Sequence, residues 1–404
     1  MICAGNRRWL FAAAMVVLLT AVHSEAWAQK KVGPEFRVNS YTKSLQTDSS
    51  VAKLEKGGFV VTWSSYGLES RFGVYAQRYD DAGIRLRRQF RVNTTTQADQ
   101  HESSVAGLKN GAGDFVVVWT SRVGTTLDIL GQRFTASGAR IGGEFKVNAS
   151  LELDQRTPKV AALEDGGFVV VWHAHTRWGL MWDVWARRFN AAGVAQGPEF
   201  RVNTAGEVRH SYPAVAGLRD GGFVVAWGDV GIMARRYTAD SVAGVEFQVN
   251  KTMKFESLFP AGVAGLTNGG FVVIWNYEDG RFSPAKPHLF ARRYNARGVA
   301  IGDPFRANTK PVIQELRSAL AALDDGGFVV AWESQPFSHT DVFGQRYGAA
   351  GLPIGGAFQL NSPGVTNQLH PALAGLTNGN FVATWDSGDQ DGDEIGIFGQ
   401  LFSR

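Results

Sequence analysis

The side chains of this 404-residue chain that could do chemistry are concentrated in two segments rich in aromatic and charged residues. One is HAHTRWGLMWD (173–183), the other is NYEDGRFSPAKPH (276–288), and RHSY (209–212) between them has similar residue types. Exposed aromatic rings can stack on sugar rings, and guanidinium and imidazole groups can hydrogen-bond to sugar hydroxyls. The candidate ligand-binding residues are therefore Arg177, Trp178, Trp182, Arg209, His210, Tyr212, Tyr277 and Arg281.

The same residue types could also catalyse elimination on a uronic-acid polymer. An arginine would neutralise the uronate carboxylate, and a histidine or tyrosine would remove the C5 proton. The sequence contains no nucleophile elbow, no metalloprotease helix and no paired-carboxylate spacing. We therefore expect a noncatalytic binding protein and assign no catalytic residue. A polysaccharide lyase is the alternative.

One acidic run resembles the start of a calcium-binding loop. In DSGDQDGDE (386–394), the carboxylates of Asp389, Asp391 and Asp393 alternate along the chain, as calcium ligands do. Glu394 stands where an EF-hand loop has its glycine, and no distal glutamate completes the ligand set. A solvated turn is the alternative. Beyond this candidate calcium site, we expect no cofactor.

The first 28 residues have the pattern of a secretory signal peptide. Arg7 and Arg8 precede the apolar run LFAAAMVVLLTAV (10–22), and Ala26 and Ala28 stand at the −3 and −1 positions of a cleavage site. The apolar run is shorter than the roughly 20 residues that span a bilayer. We therefore expect residues 1–28 to be removed, and residues 29–404 to be periplasmic or secreted without a membrane span.

The composition narrows the classes of partner. The formal net charge is only +4 and the charged residues are scattered, so nothing favours binding to nucleic acid or to an acidic membrane. The single cysteine, Cys3, lies in the predicted signal peptide, so the mature chain would have no disulfide. We expect a monomer that binds a glycan or an extracellular protein.

Seven internal repeats define the elements that must position the candidate residues. Blocks related to GGFVVVW (166–172) recur at spacings of 48 to 57 residues, close to the kelch repeat length of about 50. Each repeat contains four strand-like segments, with Asn-Gly or Asp-Gly turns typical of tight hairpins between the first two. The pattern predicts an all-β, seven-bladed β-propeller of four-stranded antiparallel blades over residues 29–404. The tryptophans that end the seven blocks are Trp63, Trp119, Trp172, Trp227, Trp275, Trp332 and Trp385.

The order of the segments predicts how the ring closes. The segment EFRVN (35–39) is of the fourth-strand type but has no first three strands before it. The chain ends with three segments that lack a fourth. The N-terminal strand should therefore complete the last blade, which removes the open edges of the sheet.

The repeat unit resembles that of a known group of proteins. GGFVVVW followed by a GQRF-like strand and an EFRVN-like strand is similar to repeats of bacterial secreted β-propeller proteins, including adhesin- and hemolysin-associated repeats. The resemblance covers the chain from about residue 33 to its end. It implies the propeller fold and leaves the function open, since such repeats host many roles.

Residues that recur in every blade are expected to be structural. The tryptophan and phenylalanine of each block should pack between neighbouring blades, because buried rings dominate core energetics. The third-strand arginines, of which Arg78 is the first, should be inter-blade or strand-pairing partners. Recurrent glutamines should lie near the axis and hydrogen-bond between blades, with a ligand role as the alternative. These glutamines are Gln46, Gln100, Gln155 and Gln368.

Function is expected where the repeats vary. The loops between second and third strands share one face with the connections between blades, and both vary in length and composition. Two long loops, in blades three and five, flank the short GDVG loop (228–231) of blade four, which predicts a ligand groove over blade four. Two alternatives are that these loops only cap the blade ends, and that the propeller is a scaffold in an envelope assembly.

Overall fold

The computed structural model of the protein confirms the predicted seven-bladed β-propeller. Seven four-stranded antiparallel sheets form a ring. The predicted signal peptide lies outside the described residues, and within them no helix is long and apolar enough to cross a membrane. The described residues are 29–67, 71–149, 154–175, 181–204, 210–229, 231–250, 256–279, 288–309, 317–335, 338–364 and 366–404.

The first four blades contain 16 consecutive strands of the chain, β2 to β17. Blade one comprises β2 (Gln46–Lys53), β3 (Phe59–Ser65), β4 (Gly73–Tyr79) and β5 (Arg85–Arg91). Blade two comprises β6 (Gln100–Gly107), β7 (Phe115–Val123), β8 (Thr126–Phe134) and β9 (Arg140–Lys146). Blade three comprises β10 (Gln155–Ala162), β11 (Phe168–His175), β12 (Trp182–Phe189) and β13 (Phe200–Arg201). Blade four comprises β14 (Ser211–Gly217), β15 (Phe223–Gly228), β16 (Ile232–Tyr237) and β17 (Phe247–Gln248).

The last three blades follow the same order, and the seventh includes the first strand of the chain. Blade five comprises β18 (Glu256–Gly265), β19 (Phe271–Asp279), β20 (His288–Tyr294) and β21 (Ala300–Arg306). Blade six comprises β22 (Ser318–Ala322), β23 (Phe328–Ser334), β24 (Asp341–Tyr347) and β25 (Pro353–Gln359). Blade seven comprises β26 (Gln368–Gly375), β27 (Phe381–Gly388), β28 (Ile395–Phe402) and β1 (Lys31–Arg37), which pairs with β28.

The first strand of each blade is the innermost one. First strands of neighbouring blades contact each other around the whole ring, from β2 to β26 and back to β2. The outer strands follow in chain order, and β1 occupies the outer position in blade seven, where Arg37 lies opposite Phe398. The fold therefore places the start of each inner strand beside the central axis.

Aromatic rings fill every interface between blades. The phenylalanine of each block stacks on an aromatic residue at the end of the third strand, with ring centroids 4.6 to 5.1 Å apart. A phenylalanine from the fourth strand of the preceding blade tilts against the third-strand ring at 5.2 to 5.6 Å. The block tryptophans are buried in the same interfaces, as Trp119 is against Val60 and Ala76 of blade one. The predicted packing role is confirmed.

An asparagine after each fourth strand holds the third strand of its own blade. Its side-chain oxygen accepts a hydrogen bond from a backbone N–H near the start of that strand, at 2.8 to 2.9 Å in all seven blades. A buried backbone donor without a partner would cost about 1–3 kcal/mol, so the bond explains why EFRVN-like segments end in Asn. The residues are Asn39, Asn93, Asn148, Asn203, Asn250, Asn308 and Asn361.

Four of the six recurrent third-strand arginines link neighbouring blades, as predicted, while Arg236 and Arg346 pair with Asp220 and Asp325 of their own blades. Arg78 of blade one donates from Nη1 to the carbonyl oxygen of Ser137, in the β8–β9 turn of blade two, at 2.7 Å. Arg133 makes the equivalent bond to the carbonyl of Ala192 in blade three, at 2.5 Å. The same contact joins Arg188 to Ala239 and Arg293 to Ala350.

Inner strands approach one another most closely near their C-terminal ends. A Cβ atom added to Gly107 would lie 2.0 Å from the carbonyl oxygen of Lys53 in the neighbouring blade. At Gly217 the same atom would lie 2.2 Å from the carbonyl oxygen of Ala162. Glycine at these positions therefore lets the backbones of neighbouring blades touch.

We predict that Gly107→Ala destabilises the protein by about 1–3 kcal/mol, because the new methyl group must displace a backbone carbonyl. The matched control is Gly143→Ala on β9, where an added Cβ meets nothing within 4 Å. Urea denaturation of both variants measures the difference. Equal stability of the two variants would show that the inner strands are not tightly packed at this point.

Candidate functional site

One residue near the start of most inner strands has a left-handed backbone. Five non-glycine residues at this repeat position have φ between 48° and 57°, and each lies at a register shift between the first and second strands. The left-handed conformation costs a non-glycine residue about 1–2 kcal/mol. Strain of this kind persists only where surrounding contacts enforce it, and it is concentrated at functional sites. The five residues are Asp48, Glu102, Thr157, Tyr212 and His370.

Arg317 holds the same repeat position in blade six. Each of the six residues precedes a buried leucine by six positions, and Arg317 precedes Leu323. In blade five the position is Pro260. We call Asp48, Glu102, Thr157, Tyr212, Arg317 and His370 the axial ring. Because they stand at the start of the innermost strands, they surround the axis on the face that bears the loops between second and third strands.

Side chains of the preceding blade hold several of the strained residues in place. In two of these contacts, the side chain of the residue after the block tryptophan accepts a hydrogen bond from the backbone N–H of the axial-ring member in the next blade. Glu333 Oε1 accepts from His370 at 2.6 Å, and His173 Nδ1 accepts from Tyr212 at 3.3 Å. Between blades two and three, Glu102 Oε2 accepts the N–H of Thr157 at 3.0 Å. The ring is thus fixed by hydrogen bonds that cross the blade boundaries.

His370 forms a dyad with a buried carboxylate. Its Nδ1 lies 2.8 Å from Oδ2 of Asp386, which also accepts the hydroxyl of Thr47 and, at 3.1 Å, the N–H of Asp48. Burial lowers the pKa of His370, but the hydrogen bond and the charge of Asp386 outweigh it and raise that pKa above its usual value. The dyad orients the imidazole ring toward the axis of the propeller at a fixed place.

Glu333 is a second buried carboxyl group beside the dyad. Burial raises the pKa of Glu333 to about 7, although the hydrogen bond from His370 and the charges of His370 and Arg317 act in the opposite direction. The group therefore changes charge near neutral pH.

Lys159 lies two residues after the axial-ring member of blade three, and it differs in type from the residues at this position in the other blades. It is exposed, although its neighbours Pro158 and Val160 are buried. Desolvation by the surrounding protein lowers its pKa, and the charges that act on it are those of Asp48, Arg317 and Glu102. These residues belong to blades one, six and two, which fits an ammonium group beside the central axis. The other six blades have small residues at this position: Ser50, Ser104, Ala214, Gly262, Ala319 and Ala372.

Ion pairs cross the axis region at both ends of the inner strands. Arg317 of blade six donates from Nη1 to Oδ1 of Asp48 in blade one. At the other end, Lys53 Nζ of blade one lies 2.8 Å from Oδ1 of Asp324 in blade six. We call the opening framed by the axial ring and Lys159 the axial mouth. Its cations and carboxylates are nearly balanced in number.

The structure brings only part of the predicted ligand-binding set to this mouth. Tyr212 is a ring member, 44% exposed, and its aromatic ring meets His173 edge-on at 5.9 Å. His210, two residues earlier, is buried with Nδ1 3.1 Å from Oδ2 of Asp229. Tyr277 is half-buried beside Phe290. Four predicted residues lie outside the described part of the chain: Arg177, Trp178, Arg209 and Arg281.

Trp182 requires a correction. It was predicted to be an exposed stacking platform, but only 9% of its surface is accessible. The rings of His173 and His175 cover it at centroid distances of 4.4 and 3.6 Å. Both histidines reach it because alternate residues of a strand lie on the same face.

Two of the recurrent glutamines differ from the prediction. Gln100 Oε1 accepts the indole N–H of Trp119 at 2.7 Å, and Gln155 does the same for Trp172. Each pair lies within one blade, so the expected hydrogen bonds between blades are wrong for these two residues. Gln46 of blade one accepts from Asn39 of blade seven at 3.0 Å, so this hydrogen bond joins two blades as predicted, and Gln368 donates to Thr366 at 2.9 Å.

The three aspartates of the candidate calcium loop are directed to separate partners. Asp391 Oδ2 accepts from Asn39 Nδ2 at 2.9 Å, and Asp393 Oδ2 accepts from the N–H of Ser44 at 3.1 Å. Asp389 has φ of 55° and donates its N–H to the carbonyl of Glu394. In the described ranges, no three histidine, cysteine, aspartate or glutamate residues are grouped so that they could hold a metal ion. The run ties blade seven to the segment that follows β1.

Comparisons with known proteins support the architecture. No family model and no curated protein matches the chain. A protein of unknown function from Dyadobacter fermentans is 12% identical, with a TM-score of 0.55 over 93% of this chain and 98% of the other. The polysaccharide lyase Uly1 is 11% identical, with a TM-score of 0.53 over 94% of both chains. The NanB sialidase from Streptococcus pneumoniae is 7% identical, with a TM-score of 0.51 over 93% and 71%. At these identities the similarity shows the fold alone.

We predict that Glu333→Gln reduces the pH dependence of stability. Between pH 4.5 and about 7 the carboxyl group ionises in the unfolded chain but stays protonated in the native state, so wild-type stability falls as pH rises through this window. Glutamine still accepts the N–H of His370 and does not titrate. Urea denaturation at pH 5 and pH 8 measures both proteins. If the free energy of unfolding changed equally between pH 5 and pH 8 in the wild type and the variant, the raised pKa of Glu333 would be contradicted.

Proposed function

We propose that the protein is a noncatalytic carbohydrate-binding module whose site is the axial mouth. The observation that supports this most directly is the axial ring itself. Six different side chains occupy one repeat position, five of them on a left-handed backbone, while the next position in the chain carries only serine, proline or alanine. A purely structural position would carry the same residue in each blade, as the asparagines and tryptophans do.

The chemistry of the mouth suits a ligand rich in hydroxyl groups. Lys159 and Arg317 offer donors, and the carboxylates of Asp48 and Glu102 offer acceptors. A sugar hydroxyl both donates and accepts, so adjacent hydroxyls can pair with such a mixture. The near balance of charge gives no net attraction for a strongly ionic ligand. The exposed ring of Tyr212 adds an apolar surface for a pyranose face.

The loops of blades three, four and five would extend this site outward. These loops contain Arg177, Trp178, Arg209 and Arg281. Tyr212 is the axial-ring member of blade four, so it joins the loops of these blades to the axial mouth. We also propose, from the N-terminal pattern alone, that the protein acts in the periplasm or outside the cell. An extracellular protein partner is the alternative occupant of the same face.

A polysaccharide lyase is the second candidate function. The His370–Asp386 dyad could supply a base, and a lyase is among the proteins with a similar fold. Elimination on a uronate also needs a cation for the carboxylate, which Lys159 or Arg317 would have to supply. The sequence contains no catalytic motif, so binding without turnover is the better-supported proposal.

The experiment is a glycan-array screen of the chain from Gln29, with and without calcium, followed by titration calorimetry on a hit. We predict that Lys159→Ser weakens binding about 10- to 100-fold, because a hydrogen bond to a charged group is worth about 1.5–3 kcal/mol. Serine occupies the same position in blades one and two, so the variant should fold. The control is Lys109→Ser, which removes an exposed ion pair with Glu164 at the opposite face.

Each outcome separates the candidate functions. Unchanged affinity in Lys159→Ser, with a hit still bound, would place the ligand elsewhere than the axial mouth. Release of unsaturated, ultraviolet-absorbing sugars from a hit would establish the lyase. A blank array in both conditions would reject carbohydrate and favour a protein partner.

A further inference from the structure

The outer strand of blade one departs from the repeat at a strained position. Arg87 on β5 has a φ of 65°, a left-handed conformation that β-strands rarely contain. All six other blades have glycine at the equivalent place, three residues before the fourth-strand phenylalanine, and in five of them φ lies between 67° and 101°. These five glycines are Gly33, Gly142, Gly197, Gly302 and Gly355.

The backbone around Arg87 has the same hydrogen bond as in the glycine-containing blades. Gln77 donates from Nε2 to the carbonyl of Arg87 at 3.2 Å, just as Gln132 donates to the carbonyl of Gly142 at 3.3 Å. The arginine side chain is therefore not needed to form this bulge. Blade one accepts a strained residue where glycine would be relaxed.

The next two residues, like Arg87, make the strand more positively charged than its counterparts in other blades. Arg88 stands where blades two and six have Gly143 and Gly356. Gln89 replaces a glutamate present in four other blades, yet its Oε1 still accepts the N–H of Ser40 at 2.6 Å. The glutamates of those blades accept the equivalent N–H. The hydrogen bond is thus kept while the negative charge is removed.

The result is an exposed cluster of guanidinium groups. Arg87 and Arg88 are exposed, and no ion pair is formed by either of them with another residue of the described ranges. Arg85 and Arg91 flank them on the same strand. Arg87 also opposes the charge of Arg78: burial lowers the pKa of Arg78, and the charge of Arg87 lowers it further. Clustered like charges favour the binding of an anion.

We propose that this strand, Arg85–Arg91, is a second binding surface, and that it binds an acidic polysaccharide bearing carboxylate or sulfate groups. Guanidinium groups bind both anions through paired hydrogen bonds. The only aromatic residue of the strand, Phe90, packs against Phe134, so it offers no platform for stacking nucleic-acid bases. The choice of a sugar polymer rests on the proposed function. The surface lies on the outer edge of blade one, away from the axial mouth.

The test uses the full-length mature chain and immobilised dextran sulfate, with neutral dextran and single-stranded DNA as comparison probes. The variant Arg87→Gly/Arg88→Gly installs residues that blades two and six already carry. It should bind dextran sulfate at least tenfold more weakly, with a salt dependence reduced by about two counterions. Its thermal stability should be equal to or above that of the wild type, because the left-handed position becomes a glycine.

The matched control is Arg297→Ala, which removes one exposed arginine from the β20–β21 turn, where blades one, three and six have alanine. It should bind dextran sulfate as the wild type does. The double variant should still bind a neutral glycan from the array as the wild type does, so failure of the axial site and failure of this surface are separable. Undiminished binding by the double variant would overturn the proposal. Equal affinity of the wild type for single-stranded DNA would overturn the polysaccharide assignment.

Discussion

The close approach of seven inner strands at one axis is the constraint on which the rest of the structure depends. At Gly107 the neighbouring carbonyl leaves no room for a side chain, so the strands touch near their C-terminal ends. Toward their N-terminal ends five of the seven strands carry a left-handed residue at a register shift, and this residue stands beside the axis. Aromatic stacking and the buried asparagine bonds keep the outer strands of each blade in register with this inner ring. The same geometry that closes the propeller therefore presents one variable side chain per blade at a shared opening.

The fold could be predicted because its supports repeat. Tryptophan, phenylalanine, arginine and asparagine recur at fixed places, and the structure gives each of these types one role in most or all blades. The hydrogen bonds of the glutamines were harder to predict, because the sequence does not show that Gln100 accepts from the indole N–H of Trp119 in its own blade. Exposure in the long loops could not be predicted either, since the covering of Trp182 depends on the histidines of the facing strand.

The axial ring could not be predicted from periodicity because a bulge is a local backbone feature without a fixed residue type. A signal was nevertheless present: the residue six positions before each buried leucine changes chemistry from blade to blade, although the residue that follows it is always serine, proline or alanine. The same comparison between blades reveals Lys159 among small residues and Arg87 among glycines. In a repeat protein, the departures from the repeat carry more information about function than the repeat does, provided that the backbone conformation is kept.

The position of a bound sugar is the most direct test of the central claim that function lies at the axial mouth. A crystal structure of the mature chain with an oligosaccharide from the array would show it. We predict a sugar ring within hydrogen-bond distance of Lys159, Glu102 or Asp48, with a face against Tyr212. A sugar bound only over the loops of blades three and five, with the axial mouth occupied by water, would contradict the claim.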